Sequence, residues 1–371
     1  MSSPALQPLP PGIASLADFE PHARERMSEA AWAYLMGGAA DEITLRANRA
    51  AWDEIRLLPR VLRDLRGGHA GCRLLGRDIP HPILLAPIAY QRLAHPDGEL
   101  ASAFAAAAQG AGMVLSAQSS IALEQVASAM GPAQGRGPLC FQLYWMGERG
   151  FMRELLARVA AAGFEALVLT VDAPVQGARD RERRAGYQLP ADIRAVNLDG
   201  LPAPAALPAG AHPLFDGLLA RAPTWAEIDW LRQHSPLPLL LKGVIHVDDA
   251  LQARSLGVDG LVVSNHGGRT LDTLPASAAL LPPLRAALGP DFTLLVDGGL
   301  RRGTDVLKAL ALGADAVLLG RPYLHALAAA GAHGVAHGLR LLRDELDIAL
   351  ALSGCRTLDE VGPQLLWPAG R

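Results

Sequence analysis

From about residue 80 onward the chain repeats one pattern: a short apolar run of roughly five residues, then an Ala- or Leu-rich amphipathic stretch. The runs are Ile83–Pro87, Met113–Ser116, Leu139–Tyr144, Leu167–Asp172, Leu239–Lys242, Gly260–Ser264, Phe292–Asp297 and Ala316–Gly320. They are apolar on both faces, as parallel strands covered on both sides must be. The stretches between them, such as Glu99–Gln109, Gly150–Ala162, Val247–Leu256 and Gly303–Leu312, read as helical crossovers. Strands alternating with helices leave two architectures, a closed (β/α)8 barrel and a doubly wound open sheet.

The polar residues decide between them. Gln142 and Tyr144, Thr170 and Asp172, Lys242, Ser264 and His266, Asp297, and Gly320-Arg321 fall at the C-terminal ends of separate runs. In a barrel those ends meet on one face, where active sites are built; an open sheet keeps its first and last strand ends apart. The expected fold is therefore α/β, a (β/α)8 TIM barrel over about residues 80–325. Length alone allows two or three domains, but barrels commonly use about 250 residues as one unit, so 1–371 reads as a single domain.

The flanking segments carry their own signals. Ser28 is placed to cap a helix through Trp32 and Tyr34 that stops at Gly37-Gly38, where positive φ is expected. Asp41 is placed to cap a second helix, Glu42 to about Trp52. Leu339–Leu352 reads as an amphipathic helix ended by Gly354, and Thr357–Glu360 as a capping box. Residues 176–222, rich in Pro, Ala and Gly, interrupt the alternation after strand four. So long an irregular stretch reads as an active-site lid, with a surface loop of no role as the alternative. Met1–Gly12, Pro- and Ser-rich without a basic segment before an apolar one, reads as a loose tail within residues 1–14 and not a signal peptide.

A formal charge of -3 gives no reason to expect nucleic acid or an anionic membrane as partner. No apolar stretch reaches the roughly 18 residues a membrane span needs. Cys72, Cys140 and Cys355 form no C-x-x-C pair and no zinc spacing, so no metal is expected, and Cys140 reads as a buried packing thiol. The expected location is cytoplasmic.

Nucleotide motifs narrow the chemistry. The chain has no G-x-x-x-x-G-K-[ST], and Gly110–Gly112 and Gly135–Gly137 precede strands and do not extend to G-x-G-x-x-G. The informative glycines come late: Asp297-Gly298-Gly299-Leu300-Arg301 after strand seven and Gly320-Arg321 after strand eight. Those are the loops on which barrels hold phosphate, and each here carries an arginine.

With Ser264-Asn265-His266-Gly267-Gly268-Arg269, Leu241-Lys242-Gly243 and Gly303-Thr304-Asp305-Val306, these residues resemble the FMN-dependent 2-hydroxy acid dehydrogenase/oxidase family, from about Phe19 to the C-terminus. That family includes glycolate, lactate and mandelate-oxidising enzymes. The resemblance implies FMN as cofactor, a small L-2-hydroxy acid as substrate, oxygen as acceptor and a homotetramer. It makes His266 the catalytic base and Asp172 the carboxylate that orients it. It assigns Arg179 and Arg269 to the substrate carboxylate, and Tyr34 and Tyr144 to its polar groups. Lys242 falls beside the flavin N1–C2=O edge. Pro87, Ile88, Ala89, Gln142, Tyr144, Thr170 and Ser264 fall around the ring, and Asp297 on the ribityl hydroxyls. Gly298, Gly299, Arg301, Gly320 and Arg321 fall on the chain and phosphate. Ile88 replaces a threonine and Ala117 a hydroxyl residue, so neither side chain carries a polar contact, and Gly177-Ala178-Arg179 replaces a Gly-Arg-Arg pattern.

The chemistry implied is removal of the hydroxyl proton by His266 as the C2 hydrogen passes to the flavin, with proton removal from C2 as the alternative route. Quinone-linked dehydrogenase and decarboxylating monooxygenase are alternative activities within the family. A continuous apolar insert after strand four and an N-terminal haem-binding domain, which would mark other acceptors, are not seen. From other classes, Lys242 allows a Schiff-base aldolase, and the barrel a catalytically silent flavoprotein. Tyr90, Gln118, Trp145 and Gln176 are expected to shape the side-chain end of the pocket, and Pro87–Arg92 resembles the hydroxymandelate-oxidising branch.

Overall fold

The computed structural model describes residues 6–204 and 206–368. Eight strands close into a parallel barrel: β1 (Ile83–Leu85), β2 (Gly112–Ser116), β3 (Leu139–Leu143), β4 (Ala166–Thr170), β5 (Leu239–Lys242), β6 (Gly260–Val263), β7 (Thr293–Val296) and β8 (Ala316–Leu319). Closure is by β8 against β1, with Val317 opposite Ile83 and Leu319 opposite Leu85. The helices are α1 (Phe19–Arg26), α2 (Glu29–Met36), α3 (Ile43–Glu54), α4 (Gly98–Ala108), α5 (Leu123–Met130), α6 (Arg149–Ala161), α7 (Asp180–Arg184), α8 (Trp225–His234), α9 (Val247–Ser255), α10 (Ser277–Leu288), α11 (Gly303–Ala311) and α12 (Arg321–Ser353). The open-sheet alternative is thereby excluded.

Side chains alternate along each strand, so one set fills the barrel and the other meets the helices. Leu84, Val114, Cys140, Val168, Leu240, Val262, Leu295 and Leu318 pack inside, and Leu74 and Ile79 of a hairpin (Cys72–Leu74 with Arg77–Ile79) join them. Ile83, Met113, Phe141, Leu167, Leu241, Leu261, Val296 and Val317 belong to the larger outer core shared with the helices. Cys140 is thus a packing thiol, pushed up to about 12 by burial.

Register is pinned at the N-terminal rim by three acids standing just before strands. The N–H of Glu165, Asp259 and Asp315 donates to the carbonyl of Leu139, Leu239 and Leu294 respectively, each in the preceding strand. Their carboxylates accept from the N–H of those same residues at 3.2, 2.8 and 2.7 Å. A slip of one residue would leave these groups unpaired and invert the faces of the strand.

Several local expectations need correction. Ser28 does cap α2 (Glu29–Met36), but the helix ends at Gly37 with φ -66, not positive φ, because arginine side chains take its final carbonyls. α3 (Ile43–Glu54) is not capped by Asp41; Asp272, far along the chain, accepts from the N–H of Ile43 and Thr44. Arg321–Ser353 (α12) is two helices broken at Ala330 and Gly331, the second ended by Gly354 at φ 75. No capping box forms at Thr357, since Glu360 accepts from the N–H of Arg356 instead. The N-terminal segment is anchored from Gln7, whose amide meets His95 and whose carbonyl meets His333; Met1–Ala5 lie outside the described residues. No helix among the described residues is long and apolar enough to cross a membrane.

Candidate active site

Two positions beyond the inward apolar layer, alternation turns Ser116, Gln142, Thr170, Lys242, Ser264, Asp297 and Gly320 toward the barrel axis. All of these except Ser264 floor a cleft of about 1520 Å³, large enough for a cofactor and a small substrate together. Its walls include Tyr34, Pro87, Ile88, Ala89, Gln118, Tyr144, Trp145, Gln176, Arg179, His266, Arg269, Gly298, Gly299, Arg301 and Arg321. Asp172 and Ser264 stand behind this surface, against His266 and Lys242. Tyr90 sits beside the cleft near Tyr34, with ring centroids 6.1 Å apart.

The floor is charged. Lys242 Nζ donates to Ser264 Oγ at 2.7 Å and pairs with Asp297 Oδ2 at 3.0 Å. Burial alone would lower the Lys242 pKa, but Asp297 and then Asp172 hold it above the ordinary lysine value. An ammonium held charged by two carboxylates is a poor Schiff-base nucleophile, which counts against the aldolase reading. Gln142 Nε2 donates to Thr170 Oγ1 at 3.0 Å on the neighbouring strand.

His266 is positioned by an unusual backbone. His266, Gly267 and Gly268 have φ of 56, 62 and 72, three left-handed residues in succession. Glycine adopts this conformation without penalty, whereas His266 carries a cost of about 1–2 kcal/mol. A side chain at Gly268 would also strike the backbone nitrogen of Leu45. The turn brings His266 Nδ1 to 2.8 Å from Asp172 Oδ1. Burial lowers the imidazole pKa below its ordinary value, against the pull of Asp172. Burial raises the Asp172 carboxyl, but His266 and Lys242 bring it below the usual range. The resting pair is therefore a neutral imidazole donating Nδ1–H to a carboxylate, with the Nε2 lone pair left to accept a proton.

Two phenols and two guanidiniums stand around it. Burial pushes Tyr34 and Tyr144 up to about 12, so both are neutral donors at ordinary pH. Arg269 Nη1 donates to the carbonyls of Tyr34 (2.6 Å) and Gly37 (3.0 Å), closing the end of α2, and its guanidinium lies over the Tyr34 ring. Arg179 Nη1 donates to Glu182 Oε1 at 2.8 Å.

At the other end, Arg321 donates through Nη1 to Gly267 and through Nη2 to Gly37. Burial, with Arg269 next in effect, lowers its pKa to about 9. Arg321 Nε and Asp297 Oδ1 are buried without a partner. A Cβ at Gly320 would meet nothing, so the backbone there is open, and α12 starts at that point, with Pro322 lacking an N–H and the Tyr323 N–H donating to the Gly320 carbonyl. Asp305 shapes the adjoining loop, accepting from the N–H of Arg301 and Arg302 and pairing with Arg49, while the Arg301 side chain is exposed. The unpartnered Nε of Arg321 and the unpartnered Oδ1 of Asp297, both residues lining the cleft, fit a phosphate and a hydroxylated chain respectively. Those are the two ends of FMN below its ring.

Sequence reasoning passed over several of these residues. Ser116 was detectable, because it lies two positions after Val114 in a strand whose inward face was legible. Glu182, Arg49 and the Asn48–Asn265 pair had no local signal. The two asparagines exchange amide hydrogen bonds at 2.8 Å across 217 residues, joining α3 to the His266 loop.

The comparisons agree with this geometry. A family model described as FMN-dependent dehydrogenase matches residues 23–368. The chain is 47% identical to an L-lactate oxidase of Alicycliphilus denitrificans, over 97% of this chain and 98% of that protein. It is 42% identical to a 4-hydroxymandelate oxidase of Amycolatopsis orientalis, over 93% and 95%. A crystal structure of mandelate oxidase with (S)-2-phenylpropionate superposes with a TM-score of 0.85 at 41% identity, covering 95% of this chain and 98% of that one. A barrel with this floor, matched along nearly its whole length, belongs to the FMN-dependent dehydrogenase family, and FMN is its cofactor.

Proposed function

We propose that the protein oxidises a small L-2-hydroxy acid to the 2-oxo acid with oxygen as acceptor, releasing hydrogen peroxide. The observation that carries this reading is the His266–Asp172 pair at 2.8 Å, opening on a cleft shared with Arg179 and Arg269. Arg179 and Arg269 take the substrate carboxylate, each offering a planar fork of donors. Tyr34 and Tyr144 donate to its oxygens. His266 Nε2 accepts the hydroxyl proton, and Asp172 stabilises the imidazolium that results.

When bound, FMN would supply the acceptor for the C2 hydrogen with its electron pair, and a route for those two electrons to oxygen. Lys242 places a fixed positive charge on the cleft floor, suited to the N1–C2=O edge. Gln142, Thr170 and the backbone of Pro87, Ile88 and Ala89 provide ring contacts, with Ser264 holding Lys242 from behind. Asp297 would accept from ribityl hydroxyls, and Gly298, Gly299, Arg301, Gly320 and Arg321 would hold the phosphate. The oxidase names of the relatives support oxygen over a quinone or another acceptor. Residues 176–222 act as a lid in this reading, supported by Leu214 and Leu218 on the cleft wall. We further take the protein as a cytoplasmic homotetramer, to be checked by cell fractionation and light scattering.

The test is anaerobic mixing of the purified flavoprotein with glycolate, L-lactate and (S)-mandelate, followed by admission of oxygen. Bleaching of the flavin and one peroxide per 2-oxo acid are expected. No bleaching by any acid refutes the function and leaves a silent flavoprotein. A decarboxylated product refutes the oxidase assignment in favour of a monooxygenase.

A further inference from the structure

Arg179 and Arg269, both on the cleft wall, are braced very differently. Arg269 is fixed through Nη1 by the carbonyls of Tyr34, Leu35 and Gly37. Arg179 has one protein partner among the described residues, Glu182, and its Nε is buried without any. Both members of that pair are nearly inaccessible, with side chains 12% and 13% exposed. The same Glu182 oxygen lies 3.7 Å from Arg269 Nη2, so one carboxylate stands between two like charges.

Local structure keeps Glu182 in place. Arg179 immediately precedes the short helix α7 (Asp180–Arg184), and Glu182 follows three residues later, close enough for the two side chains to pair. The helix is tied to the α2–α3 corner on two sides: Ala40 N–H donates to the Ala178 carbonyl, and Arg181 pairs with Glu42 at 2.5 Å. This part of the long segment is anchored, whatever the remainder does.

We infer that Glu182 is a positioning residue for the substrate carboxylate: it holds Arg179 beside Arg269 before substrate arrives. Its carboxylate offsets the repulsion between the guanidiniums and engages only Nη1 of Arg179. Nε and Nη2, which together form the bidentate fork, hold no protein partner among the described residues, so a small reorientation of Arg179 presents them to the incoming carboxylate. The inference rests on the reading of Arg179 and Arg269 as the carboxylate-binding pair.

The test uses the FMN-loaded enzyme and variants Glu182→Ala, Glu182→Gln, Arg179→Ala and Arg179→Ala/Glu182→Ala. Anaerobic rapid mixing with the most active of glycolate, L-lactate and (S)-mandelate separates Kd from the limiting rate of bleaching. Glu182→Ala should raise Kd about tenfold, with most of the effect on Kd, because one charge-assisted bond orients Arg179. Glu182→Gln, which keeps shape and an acceptor oxygen, should fall between it and the unaltered enzyme. In the Arg179→Ala background, removing Glu182 should add nothing, and the uncharged amide of the same acid should bind all Glu182 variants equally. An unchanged or tighter Kd in both Glu182 variants, with Arg179→Ala weakened, overturns the inference and leaves the carboxylate-binding reading intact. An unchanged Kd in Arg179→Ala overturns that reading of Arg179 and the inference with it.

Discussion

Replacing Asp172 by asparagine tests the proposed base most directly. The substitution keeps size, which matters because Asp172 packs directly against Gly243, where even a Cβ would lie 2.4 Å from Asp172 Cγ. What changes is charge and the hydrogen-bond partner of His266 Nδ1, now 2.8 Å from a carboxylate oxygen. An asparagine that turns its NH₂ toward Nδ1 stabilises the opposite tautomer and occupies Nε2 with a proton. In either orientation it no longer stabilises the imidazolium. General-base catalysis is worth roughly 10²–10⁴-fold, and the limiting rate of flavin bleaching should fall within that range. The pH profile supplies a second, independent signature. Neutral His266 is the active form, so the rate rises as pH passes upward through its pKa in the folded enzyme. Burial already lowers that pKa, and Asp172 opposes the fall. Removing the carboxylate lets the pKa drop further, so the acid limb of kcat/KM should move to lower pH while the plateau falls. Stopped-flow bleaching across the acid range measures both. A plateau within threefold or so of the unaltered enzyme, or an acid limb displaced upward, refutes the assignment of His266 as a base tuned by Asp172.

Gly243→Ala should cripple the same pair without touching either residue, since φ of 104 and the Asp172 contact both exclude a methyl group; FMN retained with bleaching slowed on the order of 10²-fold is expected. Lys242→Met strands Asp297 with two unmatched buried oxygens, and chemical denaturation of the apoprotein should show a loss of about 3–5 kcal/mol, with a lower flavin midpoint potential in the loaded enzyme. Asn48→Ala and Asn265→Ala should each cost about 1–3 kcal/mol, and the double variant should cost much less than their sum. Tyr34→Phe and Tyr144→Phe should weaken substrate binding yet leave the acid limb in place, because burial keeps both phenols neutral until about pH 12.

What the sequence made legible follows from how local each signal is. The barrel strands are short apolar runs whose pattern needs no partner to be recognised, and their ends carried the polar residues that face the cleft. Ser28 works as a cap because its acceptor and donor are three residues apart. Asp41 looked equally good, but the carboxylate that caps α3 comes from Asp272, and nothing local announces a contact across 228 residues. The Thr357 box failed for a related reason: Glu360 was free to choose the N–H of Arg356. Arg321 shows the limit for functional residues. Its position after β8 points to phosphate, but nothing local announces that Nη1 and Nη2 each spend one N–H on the Gly267 and Gly37 carbonyls, which fixes how the guanidinium stands in the cleft.

The segment Ser264–Arg269 is specific because each of its residues meets a different element. Ser264 accepts from Lys242 on β5 and from the N–H of His266, so one hydroxyl joins the charged floor to the base. Asn265 turns outward to Asn48 of α3. His266 reaches Asp172, two residues beyond β4. The Gly267 carbonyl accepts from Arg321 at the start of α12, and the Gly268 carbonyl accepts from Ala39 between α2 and α3. Arg269 closes the end of α2. The left-handed turn makes this divergence possible, and its cost at His266 can be carried only because every neighbour is tied elsewhere. A substitution such as Gly268→Ala would therefore act on the base, the floor and the guanidiniums together, although it adds only a methyl group on the side facing Leu45.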